Sequence, residues 1–170
     1  YVLDRMADTD AMLPVNTILL LVDPANTTPA PAQAVATLAK IINDVAPYYP
    51  PTGDYTKANA INGVTTKDVD VSDFGTGLGN GGSDTVYHLK DGIERFMITD
   101  INNPASSAMA QSTVFMMWDR VSTNPTDFNH VPGGCNVLYM DGHVEFIKYP
   151  GKAPVTARFA AFDQIINEGN

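Results

Sequence analysis

Two runs rich in β-branched and aromatic residues, 136–140 and 143–149, are separated by only two residues, Asp141 and Gly142. Asp-Gly between such runs is typical of a two-residue β-hairpin loop of type I′, in which both loop residues take positive φ. In that register the apolar core face would hold Cys135, Val137, Tyr139, Val144 and Phe146. The mixed and partly solvated face would hold Asn136, Leu138, Met140, His143, Glu145 and Ile147.

Length and charge limit the classes of protein that this chain can belong to. With 170 residues, 44% of them hydrophobic, the chain predicts a single globular domain over residues 1–170. Its net charge is −9 with only ten lysines and arginines, so nucleic acid and anionic membrane surfaces are poor partners, and no nucleic acid partner is expected. The one cysteine, Cys135, lies on the predicted core face, so neither a disulfide framework nor a cysteine-based metal cluster is expected.

Apolar periodicity predicts two helices. Over residues 31–46, Val35, Leu38, Ile41, Ile42 and Val45 recur at helical spacing, with Pro31 suited to a first turn and Pro47 blocking continuation. Over residues 154–167 a second apolar stripe consists of Val155, Phe159, Phe162, Ile165 and Ile166. A further short helix is predicted to begin after Asn103.

The remaining apolar runs predict strands. Residues 113–119 form a continuous apolar run typical of a central strand that is buried on both faces. Residues 85–98 predict another hairpin around Lys90–Gly92, although residues 92–97 could instead form a turn of helix. Either of the short runs 1–4 and 18–22 could also be a strand. The expected class is therefore α+β, with an antiparallel sheet of about four strands from residues 85–150 and helices packed on it.

Residues 59–84 are rich in glycine and aspartate and predict an exposed loop with one short strand at 68–71. Alternate carboxylates at Asp68 and Asp70, followed by Asp73, invite comparison with an EF-hand calcium loop. Asp73 occupies the position where that loop needs glycine, and Gly79 the position where it needs a bidentate glutamate. A solvated acidic loop and a calcium site at Asp68, Asp70 and Asp73 both stay open, with the first favoured.

The hairpin region also contains groups that could carry chemistry. His130 and His143 lie near the carboxylates of Asp119, Asp127, Asp141 and Glu145, and His130, Asp141 and His143 could form a two-histidine, one-carboxylate metal set. Roughly five strand residues at about 3.3 Å each would place the two histidines about 16 Å apart unless the Gly133-Gly134 loop folds back. We therefore expect His130 to bond loop carbonyls, His143 to lie at the edge, and the chain not to be an enzyme. No GxSxG, HExxH or CxxC pattern occurs in the sequence.

The segment "FNHVPGGCNVLYMDGHVEFI" resembles the C-terminal signature of bacterial pilin-like proteins (pseudopilins) that carry the prepilin-type processing-associated His-x9-Asp-Gly domain. The preceding segment, "VYHLKDGIERFMITDINNPASSAMAQSTVFMMWD", is similar to the one before the signature in these proteins, so the resemblance covers about residues 86–150. This chain departs from the pattern in having ten residues, not nine, between His130 and Asp141. The signature positions are His130, Gly133, Gly134, Asn136, Asp141, Gly142 and His143.

The resemblance implies a structural subunit of a type II secretion or type IV pilus-like filament, extracellular or periplasmic, whose partners are other pilin-like subunits. It implies a globular head in which a helix packs on an antiparallel sheet. Members of the family have a leader, a cleavage site and an apolar N-terminal anchor helix, which would be the only membrane contact. Because the chain begins at Tyr1 within a strand-like run, we expect it to be a piece of such a protein.

Two alternatives remain at this point. One is a surface-displayed module that binds calcium, carbohydrate or a protein partner through residues 59–84; calcium occurs in the heads of some related pseudopilins. The other is a metal-dependent hydrolase that uses His130, Asp141 and His143.

Overall fold

The computed structural model describes residues 1–18, 21–49, 55–93, 111–130 and 133–168. Within them the fold is α+β, with three α-helices and three small antiparallel sheets. The helices are α1 (Ala32–Val45), α2 (Tyr55–Thr65) and α3 (Ala157–Glu168). The strands are β1 (Met12–Pro14), β2 (Pro29–Pro31), β3 (Val69–Asp70), β4 (Thr85–Val86), β5 (Phe115–Trp118), β6 (Gly134–Tyr139) and β7 (Val144–Lys148).

The largest sheet has three strands in the order β5-β6-β7, and two-stranded ladders β1-β2 and β3-β4 lie apart from it. The prediction of an antiparallel sheet in the C-terminal half is confirmed, but its count of about four strands is wrong for the described residues. The second strand of the predicted 85–98 hairpin and the helix after Asn103 lie outside those residues. The turn predicted around Lys90–Gly92 is present, since Ile93 N–H donates to Lys90 O at 3.2 Å and Gly92 has a φ of 76°.

Helix α1 begins and ends within one residue of the predicted helix, with Pro31 immediately before it. Its burial differs from a simple stripe, because the N-terminal half is buried on all sides and the C-terminal half is half-buried. Small residues explain the difference, since Ala32, Ala34, Ala36 and Ala39 allow β1 and β2 to approach α1 closely.

Helix α3 begins at Ala157 and not at residue 154. Thr156 precedes it, and Phe159 N–H donates to Thr156 Oγ1 at 3.2 Å, the usual bond of a threonine N-cap. The main core lies between α1, α3 and the three-stranded sheet and contains Val35, Val137, Val155 and Phe159, each at most 5% exposed.

The prediction of an exposed loop over residues 59–84 is wrong in part, although its short strand at 68–71 is confirmed as β3 (Val69–Asp70). Residues 59–65 belong to α2, and Val69, Val71 and Leu78 are buried in a second apolar cluster with Val86. Asn80 is 4% exposed. Its Nδ2 donates to Val2 O and to Asp4 Oδ1, both at 2.8 Å, and its Oδ1 accepts from Tyr87 N–H at 2.7 Å. The glycine-rich composition of this segment predicts solvent exposure. The segment is nevertheless held against the fold by its buried apolar residues and by the hydrogen bonds of the Asn80 side chain.

The two short N-terminal runs are not strands in the described residues. Residues 1–4 lie beside the end of β4, where Val2 N–H donates to Tyr87 O at 2.9 Å, and Ile18 and residues 21–22 lie in turns. No helix in the part of the chain that the structure describes combines the length and hydropathy that a bilayer-spanning helix requires.

The predicted hairpin is present, but its loop is longer than predicted. Gly142 N–H donates to Tyr139 O at 2.9 Å, and Tyr139 N–H donates to His143 O at 3.0 Å, so Met140, Asp141 and Gly142 form a three-residue loop. Gly142 has a φ of 90°, whereas Asp141 does not take positive φ, so the turn is type I with a glycine bulge and not type I′.

The change of loop shifts the register of β7 by one residue and turns all of its side chains over. Ile147 is 5% exposed, whereas Val144 and Phe146 are 60% and 51% exposed. The core face of the hairpin therefore holds Cys135, Val137, Tyr139 and Ile147, and the solvent face holds Asn136, Leu138, Val144 and Phe146. The prediction of a shared core face was correct for β6 and wrong for β7.

The strand predicted over residues 113–119 is β5, and it is not central. Within the described residues β5 pairs with β6 alone, and its register breaks between Phe115 and Met117. Phe115 is buried, Met117 is 67% exposed, and Trp118 packs edge-on against Phe115 and Phe159 at ring distances of 5.5 and 5.6 Å.

Candidate functional site

His130 is held at the open end of the hairpin by a carboxylate on the neighbouring strand end. Asp119 follows β5, and its N–H donates to Asn136 O at 3.2 Å. Asp119 Oδ2 lies 3.0 Å from His130 Nε2 and accepts from Asn136 N–H and Nδ2 at 2.9 and 3.1 Å. Among the described residues, the partner of His130 is thus the Asp119 carboxylate and not the loop carbonyl that we expected.

Two side chains meet the Nε2 atom of His130. Nε2 lies 2.7 Å from Asn136 Nδ2 as well as 3.0 Å from Asp119 Oδ2. One neutral ring nitrogen cannot donate and accept at once, and a carboxylate is the stronger acceptor. With a proton on Nε2, both His130 and Asn136 donate to Asp119; with the proton on Nδ1, Nε2 instead accepts from Asn136 Nδ2. The ring also lies edge-on to Phe146, with centroids 6.1 Å apart.

The two glycines of the signature are explained by local geometry. Gly133 has a φ of 117°, its N–H donates to His130 O at 3.0 Å, and its carbonyl accepts from Tyr149 N–H at 3.2 Å. At Gly134 a Cβ would lie 2.5 Å from Phe146 Cζ and 2.7 Å from Ile147 O. Gly133 thus needs a backbone conformation that favours glycine, and Gly134 needs the space under the Phe146 ring.

A second histidine–aspartate pair closes the other end of the hairpin. Asp141 Oδ1 accepts from His143 N–H at 3.1 Å and lies 2.5 Å from His143 Nδ1. The bond from the His143 backbone N–H, helped by its ring, lowers the pKa of Asp141. The His143 ring stacks on Tyr139 with centroids 4.3 Å apart and an interplanar angle of 6°.

Beside this pair, Lys152 ties the loop after β7 back to the hairpin. Lys152 Nζ lies 2.5 Å from Glu145 Oε2 and 5.6 Å from the centroid of the Tyr139 ring. The hydrogen bond between them lowers the pKa of Glu145 and raises the pKa of Lys152. Both side chains are at least 44% exposed, so the pair is solvent-screened and serves orientation more than stability.

The predicted set His130, Asp141 and His143 is not brought together. Each histidine has its own aspartate, at opposite ends of the hairpin, and both rings remain about 44% and 43% exposed. Among the residues that the structure describes, no group of three histidine, cysteine, aspartate or glutamate side chains is placed to hold a metal ion. Cys135 is buried, and burial, with the charges of Asp119 and Asp163, raises its pKa to about 11, so its thiol is not activated.

The three aspartates of the acidic segment have separate partners. Asp68 accepts from His88 N–H at 2.9 Å and pairs with Lys90 Nζ at 2.7 Å. Asp70 accepts from Ser72 N–H at 2.9 Å, which lowers its pKa. Asp73 lies 3.5 Å from Lys40 Nζ.

At Asp68, burial acts to raise the pKa, but the bonds from Lys90 and His88 outweigh it and the pKa is lowered. The three carboxylates of the predicted calcium site therefore satisfy local donors and cations, and the structure does not direct them at a common point.

Sequence reasoning missed three participants in the hairpin: Phe146 above Gly134, Tyr139 under His143, and Lys152 on Glu145. The first two depend on the register of β7, which the loop length decides. Lys152 depends on the path of the chain after Pro150, for which the sequence contains no local signal.

Neither a family model, nor a curated protein, nor a solved structure, pilin heads included, matches this chain. The resemblance to pilin-like proteins therefore stands on the signature residues, whose positions are described above.

Proposed function

We propose that this chain is the globular head of a pilin-like structural subunit, which assembles with other subunits into a type II secretion or type IV pilus-like filament at the cell surface or in the periplasm. The observation that supports this most is that every described residue of the signature builds the hairpin. His130 and Asn136 lock its open end to Asp119, Gly134 admits Phe146, and Asp141, Gly142 and His143 form its closed end.

Such a use of residues fits a structural subunit better than an enzyme. A catalytic site needs an acid, base or nucleophile directed at a shared point where substrate can lie. Here the polar groups are directed at one another along the two ends of a strand pair. A subunit of a filament needs a rigid surface that is the same in every copy. The two histidine–aspartate pairs and the glycines would supply such rigidity by fixing the conformation of both ends of the hairpin.

The experiment that tests the proposal locates the chain in its native cells. Filaments are sheared from the cell surface, collected and probed with an antibody against the chain, in suspension and by immunogold electron microscopy. The expected result is regular labelling along filaments and enrichment in the sheared fraction. Recovery of the chain only as a free monomer in soluble fractions would refute the proposal.

A parallel measurement separates the two alternatives. If the chain were a hydrolase, His130→Ala and His143→Ala would abolish turnover of its substrate without loss of folded protein. If it were a calcium-binding module, calcium would raise the unfolding midpoint of the wild type and not of an Asp68→Asn/Asp70→Asn variant. The structural proposal predicts that neither effect occurs.

A further inference from the structure

Strand β7 has an unpaired edge in the described part of the chain. The bonds Tyr139 N–H to His143 O and Tyr149 N–H to Gly133 O bracket a regular ladder. Because hydrogen-bonded and non-bonded pairs alternate in an antiparallel ladder, the backbone N–H and C=O groups of Glu145 and Ile147 point towards β6. The backbone N–H and C=O groups of Val144, Phe146 and Lys148 consequently point away from the sheet.

This edge is less protected than the opposite edge of the same sheet. The opposite edge, β5, is interrupted by a register break between Phe115 and Met117, whereas the β6-β7 ladder has none. Bulges, prolines and inward-pointing charges are the common protections of edge strands. Strand β7 has no proline, and its ladder with β6 has no bulge. Its two charged residues are Glu145, which is held by Lys152, and Lys148. The two edges of one sheet therefore differ, and β7 is the one that can accept another strand.

The solvent face beside this edge is apolar. Met117, Leu138 and Val144 lie in one row across the three strands, and Phe146 is the next residue of β7 on that face. Met117, Val144 and Phe146 are 67%, 60% and 51% exposed. Exposed apolar residues that are contiguous, in contrast to scattered ones, mark an interaction surface.

We propose that β7 pairs antiparallel with β7 of a second copy of this chain, about a two-fold axis at Phe146. In that register the outward backbone groups of Phe146 meet those of the partner's Phe146, and those of Val144 meet those of the partner's Lys148. The two aromatic rings become cross-strand neighbours on the apolar face, a favourable pair. Two three-stranded sheets thus join into one.

Charge favours a second copy in this orientation. Lys148 is the charged side chain on the solvent face of β7, and Asp141 lies in the loop just before the strand. Antiparallel pairing brings each Lys148 towards the loop of the partner's Asp141, twice by symmetry. Parallel pairing would place lysine beside lysine.

The contact closes on itself, because a two-fold interface uses the same edge of both copies. Among the described strands of this sheet, the edges left outside are the interrupted β5 edges. The inference extends the proposed function by naming one contact between subunits, and filament growth then needs a different surface. The pair is a building unit of the assembly and not the fibre itself.

Disulfide trapping tests the register directly. In a Cys135→Ser background, Val144→Cys and Lys148→Cys chains are purified separately, mixed and mildly oxidised. Facing residues of a bonded antiparallel pair have Cα atoms about 5.5 Å apart, within disulfide range. The mixture should give a linked dimer and each chain alone should not, since like residues lie about 13 Å apart in this register. No link in the mixture, equal linking of either chain alone, or equal linking of a Met117→Cys control would overturn the proposal.

A second pair of variants tests the backbone bonds. Val144→Pro removes an N–H that points away from β6, so the hairpin ladder is retained, whereas Val144→Thr keeps the N–H and the β-branched shape. Sedimentation velocity over a concentration series should show a dimer of the wild type and the Thr variant. The Pro variant should dissociate at a concentration on the order of tenfold higher or more. A wild type that stays monomeric throughout, or equal association of all three, would overturn the proposal.

The outcomes distinguish this inference from the proposed function. Filaments that contain the chain but give no 144–148 link would refute the β7 contact and leave the subunit role intact. A linked dimer of a chain that is absent from filaments would do the reverse.

Discussion

Substituting Gly134 by alanine should destabilise the hairpin strongly, although the change adds a single methyl group. The new Cβ would lie 2.5 Å from Phe146 Cζ and 2.7 Å from Ile147 O. The Phe146 ring is 51% exposed and can swing away, but Ile147 O belongs to the β6-β7 ladder and cannot move without weakening it. Overpacking costs about 1–3 kcal/mol. A weakened ladder bond adds about 1 kcal/mol. The expected loss in free energy of unfolding is about 2–4 kcal/mol.

Urea unfolding followed by the fluorescence of Trp118 measures this loss. Trp118 is the one tryptophan of the chain. It lies on β5, opposite Val137 of β6, the strand that contains Gly134. With a urea dependence of about 2 kcal/mol/M, the middle of the usual range, the midpoint should fall by about 1–2 M. In a Phe146→Leu background the cost should shrink but persist, because Ile147 O remains. A loss below about 0.5 kcal/mol, within the range of ordinary surface substitutions, would refute the reasoning.

The matched control is Gly63→Ala in α2. No heavy atom lies within 4 Å of the Cβ that would be added there, and Gly63 has an ordinary helical backbone. The same substitution should therefore raise the free energy of unfolding, by about 0.5–1 kcal/mol, because alanine restricts the unfolded chain. If the free energy of unfolding falls for Gly134→Ala and rises for Gly63→Ala, the loss at Gly134 is due to its close neighbours and not to the removal of a glycine as such.

Three further predictions concern the hairpin. Gly142→Val should cost more than Gly142→Asn in urea unfolding, by about 1 kcal/mol or more, because a β-branched residue tolerates positive φ least. Since folding lowers the pKa of Asp141, its stabilising effect should be full above the ordinary aspartate pKa near 4 and lost as pH falls through the lower folded value. Asp141→Asn should remove that part of the acid dependence of the urea midpoint. With its pKa raised to about 11, Cys135 should react with a thiol reagent near pH 8 roughly a hundredfold more slowly when folded than in urea.

The parts of the fold that could be predicted depend on local pattern. Helix α1 combines 3.6-residue periodicity with prolines at both ends, and α3 carries an apolar stripe after a proline-rich turn, so both were located closely. The hairpin was also found. Its register was not, because Asp-Gly, although typical of a two-residue loop, also fits a three-residue loop with a glycine bulge. The packing of Ile147 into the main core, a tertiary contact, favours the three-residue loop.

Long-range contacts account for the other errors. Asn80 is buried because it bonds Val2 and Asp4, which lie more than seventy residues away along the chain. Composition cannot reveal such partners, so residues 59–84 were expected to be solvent-exposed. The separation of His130 from His143 followed from strand length alone, whereas the pairing of His130 with Asp119 required knowledge that β5 lies beside β6.

Under the proposed function, the signature residues maintain the fold of a subunit that assembles. Filament yield in native cells, plotted against the folded fraction in vitro, tests this for variants of Gly134, Gly142, His130 and His143. We expect all variants to fall on one curve of filament yield against folded fraction, so that a histidine variant assembles as well as a glycine variant of equal stability. Histidine variants that fold fully but give a filament yield well below this curve would refute the proposal, because the histidines would then have a role beyond the fold.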